Sequence, residues 1–223
     1  ESMPQMGEKP DGENMPQDTT TDESGTSTKG IKAGGGMYLN GGTYQIDSAD
    51  DSIHSNANIT IADGTYTLAT GDDGVHADDA LIVNGGTITV TESYEGLEGL
   101  TVTINDGTID ITASDDGINT AGEKMELNGG YIHILAGGDG VDSNGDLTIN
   151  GGEIYIDGPS DNGNNAIDYG DRSSAYVNGG TLVAIGSSGM AEVMSDSSKQ
   201  KVLMIKLGEQ MEAGNVVLTD SEG

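Results

Sequence analysis

Apolar residues recur along the chain with two nested periods. Within short segments such as "LIV" and "TITV" of residues 81–90 they alternate with polar residues, which is the two-residue period of a β-strand. Three such segments return about every 22 residues, and the repeats align into five apolar columns. The first column contains Ile31, Ile53, Val75, Leu97, Ile118, Val141 and Ile167. Most of these residues are β-branched or Leu, as strands prefer, and no segment shows the 3.6-residue period of a helix.

Turn signals mark the same repeat. "NGG" at residues 40–42 returns as "ADG" at 62, "NGG" at 84, "NDG" at 105 and "NGG" at 128, 150 and 178. The last step is longer because it contains the polar insertion "GPSDNGNN". A fixed period of this length is typical of a solenoid, and Gly supplies positive φ at tight corners. The pattern predicts an all-β fold, a single-stranded parallel β-helix of about seven coils with three short strands per coil.

The repeat also divides the chain. Residues 1–28 hold three of the four prolines and almost no aliphatic residue, which predicts a flexible insert or linker. Residues 29–188 are the predicted coils. Residues 189–223 break the period and are expected to form a further β segment or cap, with strands near "KVLMIKL" and "GNVVLTD". The chain opens at Glu1, so we expect an upstream part to be missing.

Charge narrows the function. There are 38 acidic and 8 basic residues, for a formal net charge of −30, which argues against nucleic acid or an anionic membrane surface as a partner. Such a chain is suited to gathering cations. The absence of Cys excludes disulfides, a thiolate nucleophile and a zinc–thiolate site. No apolar run is long enough to predict a membrane span.

Stacking the repeats places acidic residues above one another. The stretch "GDDGVHADD" (71–79) holds four Asp and one His, and each part of it has a column. The acid column contains Lys29, Asp51, Asp73, Glu95, Asp116, Asp139 and Asn165. The histidine column, three residues on, contains Lys32, His54, His76, Glu98, Asn119, Asp142 and Asp168. The column that precedes the acid column contains Asp50, Asp72, Tyr94, Asp115 and Gly138.

Like charges one rung apart disfavour one another's ionisation, and a bound divalent cation resolves that conflict. Oxygen ligands dominate and Cys is absent, so Ca²⁺ is favoured, since it takes about six to eight oxygens. Some Asp residues only form turns, but Glu95 and Glu98 are not turn formers. His54 and His76 could instead bind a transition metal or donate hydrogen bonds to a carboxylate or a ligand.

Other surface features bear on ligand binding. Gly30, Gly74, Gly96, Gly117 and Gly140 are expected to face outward and form a shallow trough for a linear polymer, unless they merely follow corner Asp residues. Asp78 and Asp79 have no acidic column and are expected at an exposed corner. Tyr44 and Tyr66 are expected to face the core, and outward Tyr94 could stack on sugar rings. Candidate ligand contacts are His54, His76, Tyr94, Asn119 and Asp142.

Six motifs occur in an order that resembles the clostridial-type carbohydrate-binding β-helix proteins. They are "STKGIKAGG", "DDSIHSN", "GDDGVHAD", "SYEGLEG", "SDDGIN" and "GSSGMAE", and the resemblance covers residues 27–223. It implies a right-handed, secreted or surface-attached parallel β-helix that binds cellulose-type or polygalacturonate-type glycans with Ca²⁺ on the coil face. It also implies that the chain is the C-terminal part of a larger domain, itself cut short, in which the Lys29 rung is covered.

The resemblance assigns metal binding to the acidic positions that match its motifs. These are Asp50, Asp51, Asp72, Asp73, Glu95, Glu98, Asp115, Asp116 and Asp139. Asn165 departs from the acid column and Gly138 from the paired-Asp pattern, so the site is expected to fade at those rungs.

Three functions are compatible with these observations. The favoured one is a non-catalytic, Ca²⁺-dependent polysaccharide-binding module. A polysaccharide lyase would need a Lys or Arg base, and the candidates are Lys29, Lys32, Lys124 and Arg172. Acidic neighbours keep Lys29 and Lys32 protonated, and Lys124 and Arg172 lie away from the densest carboxylates, so lyase activity is disfavoured. The third is a structural or adhesive surface protein in which Ca²⁺ only rigidifies the solenoid.

Overall fold

The computed structural model describes residues 27–122 and 124–208, which form seventeen β-strands and no helix. All strands belong to one parallel sheet that winds into a solenoid. The strands are β1 (Ile31–Ala33), β2 (Met37–Ser48), β3 (Ile53–Ser55), β4 (Ile59–Thr70), β5 (Val75–Val83), β6 (Thr87–Glu92), β7 (Leu97–Ile104), β8 (Thr108–Ala113), β9 (Ile118–Thr120), β10 (Lys124–Leu127), β11 (Tyr131–Ala136), β12 (Val141–Ser143), β13 (Asp146–Ile149), β14 (Glu153–Asp157), β15 (Ile167–Tyr169), β16 (Ala175–Val177) and β17 (Thr181–Ile185).

Strand register confirms the predicted repeat. Ile31 pairs with Ile53, Ile53 with Val75, and the same column continues through Leu97, Ile118, Val141 and Ile167. These seven positions are joined by about six turns of the solenoid. Three separate strands per coil are present only from β9 onward, because β2 and β4 run through the second corner and β5 and β7 through the first.

The core is the stack of inward residues along these strands. Ile and Val side chains such as Ile88, Ile109, Ile132 and Ile154 are fully buried one above another. The expectation that Tyr44 and Tyr66 face the core is confirmed. Their rings stack in parallel with centroids 5.0 Å apart. Tyr66 is fully buried, and its hydroxyl donates a 2.8 Å hydrogen bond to the Asp63 carbonyl.

The expected outward trough of Gly30, Gly74, Gly96, Gly117 and Gly140 is wrong, because these glycines face inward. A methyl group at Gly74 would lie 2.5 Å from the Gly96 carbonyl oxygen and 3.0 Å from Cγ2 of core residue Val90. The others would meet the Cγ2 of an Ile in the same core column. The strand alternation does not extend to these glycines, since each lies in the bend before its strand.

Two coils have a residue other than Gly at this position, and both fit the same explanation. Ser52 lies on the rung whose core residue is Leu68, and Ala166 lies on the rung of Ala184. Neither Leu68 nor Ala184 has a branch at Cβ. The column therefore requires Gly where the facing core residue is Ile or Val.

Corner asparagines form a second ladder on the outside. Asn105 donates from Nδ2 to Asn84 Oδ1 at 2.8 Å, Asn128 to Asn105 at 2.9 Å, Asn150 to Asn128 at 2.8 Å and Asn178 to Asn150 at 2.9 Å. Each bond crosses one rung. The following glycines, including Gly86, Gly107 and Gly130, take positive φ, as the turn prediction requires.

The end of the solenoid differs from the prediction. Residues 186–208 contain no strand, so the strand expected at "KVLMIKL" is not formed. Residues 195–200 nevertheless follow the last coil, since Ser195 N donates to the Ala175 carbonyl and Gln200 N to that of Val177. Residues 201–207 expose Leu203 and Ile205. The strand expected at "GNVVLTD" and most of the 1–28 segment lie outside the described residues.

Across the described ranges, the structure has no helix long and apolar enough to cross a membrane.

Candidate metal centre

The strand register places the predicted columns as vertical neighbours. Lys32 pairs with His54, His54 with His76, His76 with Glu98, Glu98 with Asn119, and the histidine column continues to Asp142 and Asp168. The acid column lies three residues earlier, at the bend before each first strand. Both columns therefore share one edge of the solenoid, as the sequence predicts.

Most carboxylates of the acid column use one oxygen to join successive rungs. Asp73 N donates to Asp51 Oδ1 at 3.2 Å, Glu95 N to Asp73 Oδ1 at 3.3 Å and Asp139 N to Asp116 Oδ1 at 2.7 Å. Asn165 N donates to Asp139 Oδ1 in the same way. These hydrogen bonds give the recurring Asp residues a structural role, which is to join one rung to the next. They leave the second carboxylate oxygen for other partners.

At the first rungs, that second oxygen is neutralised by the protein's own cation. Lys29 Nζ lies 2.5 Å from Asp51 Oδ2 and 3.1 Å from Asp50 Oδ1. His54 Nδ1 lies 2.8 Å from Asp51 Oδ2. Burial alone would raise the pKa of Asp51, but the hydrogen bonds from His54 and Lys29 outweigh it and lower that pKa to about 2.

On the next rungs, His76 pairs with the carboxylates. Its Nδ1 lies 3.0 Å from both Asp73 Oδ2 and Glu98 Oε2. Burial disfavours the imidazolium, yet hydrogen bonds with these two carboxylates outweigh it and raise the pKa of His76 to about 11. Burial and the nearby Glu98 charge raise the pKa of Asp73. A protonated His76 thus offsets part of the charge of this buried pair.

The middle rung is held by hydrogen bonds from neutral side chains. Asn119 Nδ2 donates to Glu95 Oε2 at 2.9 Å. Burial and the charges of Glu98 and Asp73 raise the pKa of Glu95. Tyr94 is half-buried, and burial together with a hydrogen bond to Asp115 raises its pKa. Tyr94 is therefore bound to a ladder carboxylate, and its stacking on sugar stays a prediction.

Asp72 lies close to the carboxylates of Asp50 and Asp51 on the preceding rung. Ligand atoms of Asp50, Asp51 and Asp72 lie within 4.8 Å of one another. Burial and the charges of Asp51 and Asp50 raise the pKa of Asp72. A second group of this kind joins Glu95, Asp115 and Asp116.

The last rungs are different, because carboxylates meet there with no Lys, Arg or His in the group. Oxygens of Asp116, Asp139 and Asp142 lie within 4.8 Å of one another. Burial and neighbouring carboxylates raise the pKa of Asp116 to about 8 and that of Asp142 to about 7. Burial and Asp168 raise that of Asp139 to about 6, against a hydrogen bond from the Asn165 amide. An added cation would therefore favour full ionisation of the group at neutral pH.

Asn165 and Asn119 are the neighbours of this group in the two columns. Asn165 is 2% exposed, and its Oδ1 is buried without a hydrogen-bond partner. Asn119 Oδ1, one rung from Asp142 in the histidine column, is likewise buried without a partner. Buried polar atoms are normally paired, so these oxygens point to a missing partner. Carboxylate and amide oxygens together form a donor set that suits Ca²⁺.

Gly138 is explained by the same group. A Cβ there would lie 2.5 Å from Oδ1 of both Asp115 and Asp116. The missing Asp of the preceding column therefore leaves space for two carboxylates. The acidic charge of the edge continues beyond Asn165 through Asp168 and Glu192. That the metal site itself fades at these rungs stays a prediction.

The ladder thus has two halves of different chemistry. The half from Asp51 to Glu98 mixes carboxylates with imidazoles, and two groups in it that could hold a metal contain His: Asp51, His54 and His76, and Asp73, His76 and Glu98. Such mixed donors suit a transition metal. The half from Asp116 to Asp142 offers oxygen alone.

Three residues near the ladder are not among the site residues predicted from the sequence. Asp78 Oδ1 lies 3.6 Å from His54 Nε2 and 3.7 Å from His76 Nε2. It is exposed as expected but lies within β5, where the pairing with β7 shifts register. Glu192 accepts a 3.3 Å hydrogen bond from Tyr169 N, and its only signal in the sequence is the motif "GSSGMAE". Asn165 lacks a charge and so gives no acidic signal.

The candidate lyase bases lie in unfavourable places. Lys29 is held between Asp50 and Asp51. Lys124 forms a 2.8 Å ion pair with Glu126 on the outward face of β10, and Arg172 is exposed on the loop between β15 and β16.

Comparison with known proteins identifies the family. No match was found among curated proteins or among solved structures. A family model described as "Carbohydrate-binding domain-containing protein" matches residues 7–74 and 69–209, which together cover most of the chain. The solenoid with its acidic edge therefore belongs to this family of carbohydrate-binding domain-containing proteins.

Proposed function

We propose that the protein is an extracellular or surface-attached module that binds acidic polysaccharide through Ca²⁺ held on the acidic edge. The family supports carbohydrate as the ligand. The observation that carries the role of Ca²⁺ is the group of Asp116, Asp139 and Asp142, whose oxygens lie within 4.8 Å of one another. Burial and neighbouring carboxylates raise the pKa values of all three groups, which supports a bound cation as their counter-charge.

Ca²⁺ is the cation that fits this group best. The donors are carboxylate oxygens, and the neighbouring residues Asn119 and Asn165 in the two columns carry buried amide oxygens without a hydrogen-bond partner. Asp116, Asp139 and Asp142 would hold the ion, and the bound ion would offer its remaining positions to oxygens of the ligand. Ca²⁺ accepts about six to eight oxygens, so three carboxylates leave room for a uronate carboxylate. Without the ion, a chain of net charge −30 repels a polyuronate.

The test is calorimetric binding of polygalacturonate in Ca²⁺ and in EDTA. Asp139→Asn removes one charge from the group, and we expect it to weaken both Ca²⁺ and polygalacturonate binding at least about tenfold, since hydrogen bonds and contacts to charged groups contribute more than about 1.5 kcal/mol. Asp106→Asn is the matched control, because Asp106 lies at an exposed corner and its Oδ1 only accepts from Gly107 N. Binding of polygalacturonate that persists in EDTA would overturn the proposal.

A structural role for the ion is the second candidate, and burial favours it. Asp139 is 9% exposed and Asn165 2% exposed, so the ion could be enclosed by the protein. In that case Ca²⁺ raises the melting temperature of the wild type and Asp139→Asn abolishes that rise, while no glycan binds. Glycan binding that depends on Ca²⁺ decides for the first candidate.

A further inference from the structure

A second surface of the solenoid carries exposed aromatic and aliphatic side chains. Along β11 and β14 the residues Ile132, Ile134, Ile154 and Ile156 are buried, so the alternate residues face outward. Tyr131 is 42% exposed, and its ring centroid lies 5.8 Å from that of Tyr155 on the next rung. We define the tyrosine face as Tyr131, His133, Leu135, Tyr155 and Val183.

The two rings are diagonal neighbours in the sheet. Tyr131 pairs with Glu153, and His133 pairs with Tyr155, so the rings follow an oblique line across the rungs. Val183 pairs directly with Tyr155, so it adds an apolar side chain beside that ring on the third coil. The rings are tilted by 43°, so they do not cover each other. The result is a stripe of apolar surface that crosses three coils.

An open groove lies beside this stripe. Gly107, Gly130 and Gly152 line it together with Asp106, Thr108, Tyr131, Glu153 and Thr181. A Cβ at Gly130 would lie 2.7 Å from the Gly107 carbonyl oxygen, and one at Gly152 would lie 2.8 Å from that of Gly130. Glycine is therefore required at this corner, and the groove is a fixed feature of the coil.

The charge of the tyrosine face selects its ligand. Its neighbours include the carboxylates of Asp110, Glu153 and Asp157. His133 Nδ1 lies 3.0 Å from Asp110 Oδ1 and is thereby paired within the protein. A polyuronate would meet like charge here. An uncharged sugar chain would not, and the carboxylates and hydroxyls of Glu153 and Thr181 can accept hydrogen bonds from its hydroxyl groups.

We propose that the tyrosine face binds an uncharged polysaccharide whose pyranose rings present C–H faces, as rings with equatorial hydroxyls do. Tyr131 and Tyr155 contact sugar rings through their apolar faces, and the groove holds the chain beside them. The surface lies on the third strands of the coils, while the acidic edge precedes the first strands. Binding at the tyrosine face therefore needs no metal and is independent of the Ca²⁺ site proposed above.

The experiment measures binding to cellohexaose and to insoluble cellulose in EDTA. Tyr131→Ala and Tyr155→Ala are each expected to weaken binding about five- to tenfold, the loss of one aromatic contact. Tyr131→Phe keeps the ring and is expected to bind within about twofold of the wild type. Tyr38→Ala is the matched control, since Tyr38 is 66% exposed on β2. Asp139→Asn, which disables the proposed Ca²⁺ site, is expected to leave binding unchanged.

Several results would overturn the proposal. They are no binding of the uncharged chains by the wild type, equal binding by the alanine variants with unchanged melting temperatures, or loss of binding in Asp139→Asn. The alanine variants are also compared with the wild type by sedimentation. If they change only self-association, the face serves a second copy of the chain and the proposal is wrong.

Discussion

The glycines before each first strand show what single residues decide in this fold. Glycine has no side chain, so the two-residue alternation cannot assign it to a face, and the expectation of an outward trough failed for that reason. The facing core residue decides its role: Gly117 faces Ile134, whereas Ser52 lies on the rung of Leu68. A sequence does not show which coil positions meet across the core.

Gly117→Ala tests this role. The added methyl group would lie 2.5 Å from the Gly140 carbonyl oxygen and against Cγ2 of Ile134. We expect overpacking to lower the free energy of unfolding by about 1–3 kcal/mol, measured by urea denaturation. Adding Ile134→Leu, which copies the Ser52–Leu68 combination, should recover part of the loss. Gly34→Ala is the control, because a Cβ there meets nothing within 4 Å.

Gly138→Ala tests a glycine of the acidic edge. Its methyl group would displace the carboxylates of Asp115 and Asp116, which lie 2.5 Å from the Cβ position. We expect the affinity for Ca²⁺ to fall about tenfold, because the displaced Asp116 is one of the three proposed ligands of the ion. Isothermal titration with Ca²⁺ measures it, with Gly34→Ala as control again. An unchanged affinity would place the ion elsewhere on the ladder.

At the scale of elements, the sequence predicts the columns well and the ends of strands poorly. Register follows from the repeat, so both the acid and histidine columns are confirmed. Whether a strand stops at a corner depends on local pairing, and β5 runs through Asp78 and Asp79 where the sequence predicts a turn. "KVLMIKL" has the apolar pattern of a strand but forms none. Pattern alone cannot supply the hydrogen-bonding neighbour that a strand requires.

The corner asparagines predict an element-scale effect. Asn128 donates to Asn105 Oδ1 and accepts from Asn150 Nδ2, so it joins three rungs. We expect Asn128→Ala to lower the free energy of unfolding by about 1 kcal/mol, the net value of one or two exposed hydrogen bonds. Asn40→Ala is the control, because Ala62 interrupts the column there. Equal effects of the two substitutions would show that the ladder adds nothing beyond the turn itself.

At the scale of the molecule, the charge balance of the acidic edge was only partly predictable. The sequence gives the net charge of −30 directly. Its repeat also predicts that carboxylates crowd one edge. The sequence does not show that Lys29 and His76 neutralise the first half, while no Lys, Arg or His of the described residues joins the carboxylate group of the second half. That division depends on side-chain distances, such as the 3.0 Å from His76 Nδ1 to Glu98 Oε2.

The same division predicts how stability depends on pH without metal. The pKa values of Asp116, Asp142 and Asp139 are raised to about 8, 7 and 6, so the folded protein binds more protons than the unfolded chain above about pH 4. Stability should therefore fall as pH rises from about 4 to 8. The pKa of Asp51 is lowered to about 2, so its contribution is lost only as pH falls below about 4.

Thermal unfolding in EDTA and in Ca²⁺ at pH 5, 6.5 and 8 measures this dependence. In EDTA we expect the melting temperature to be highest near pH 5 and to fall toward pH 8. Ca²⁺ binds the ionised carboxylates, so it should raise the melting temperature most at pH 8 and least at pH 5. Asp142→Asn should reduce the slope in EDTA, whereas Asp106→Asn should leave it unchanged. A flat profile in EDTA, or a larger Ca²⁺ effect at pH 5, would show that the last rungs do not hold the unbalanced charge of the edge.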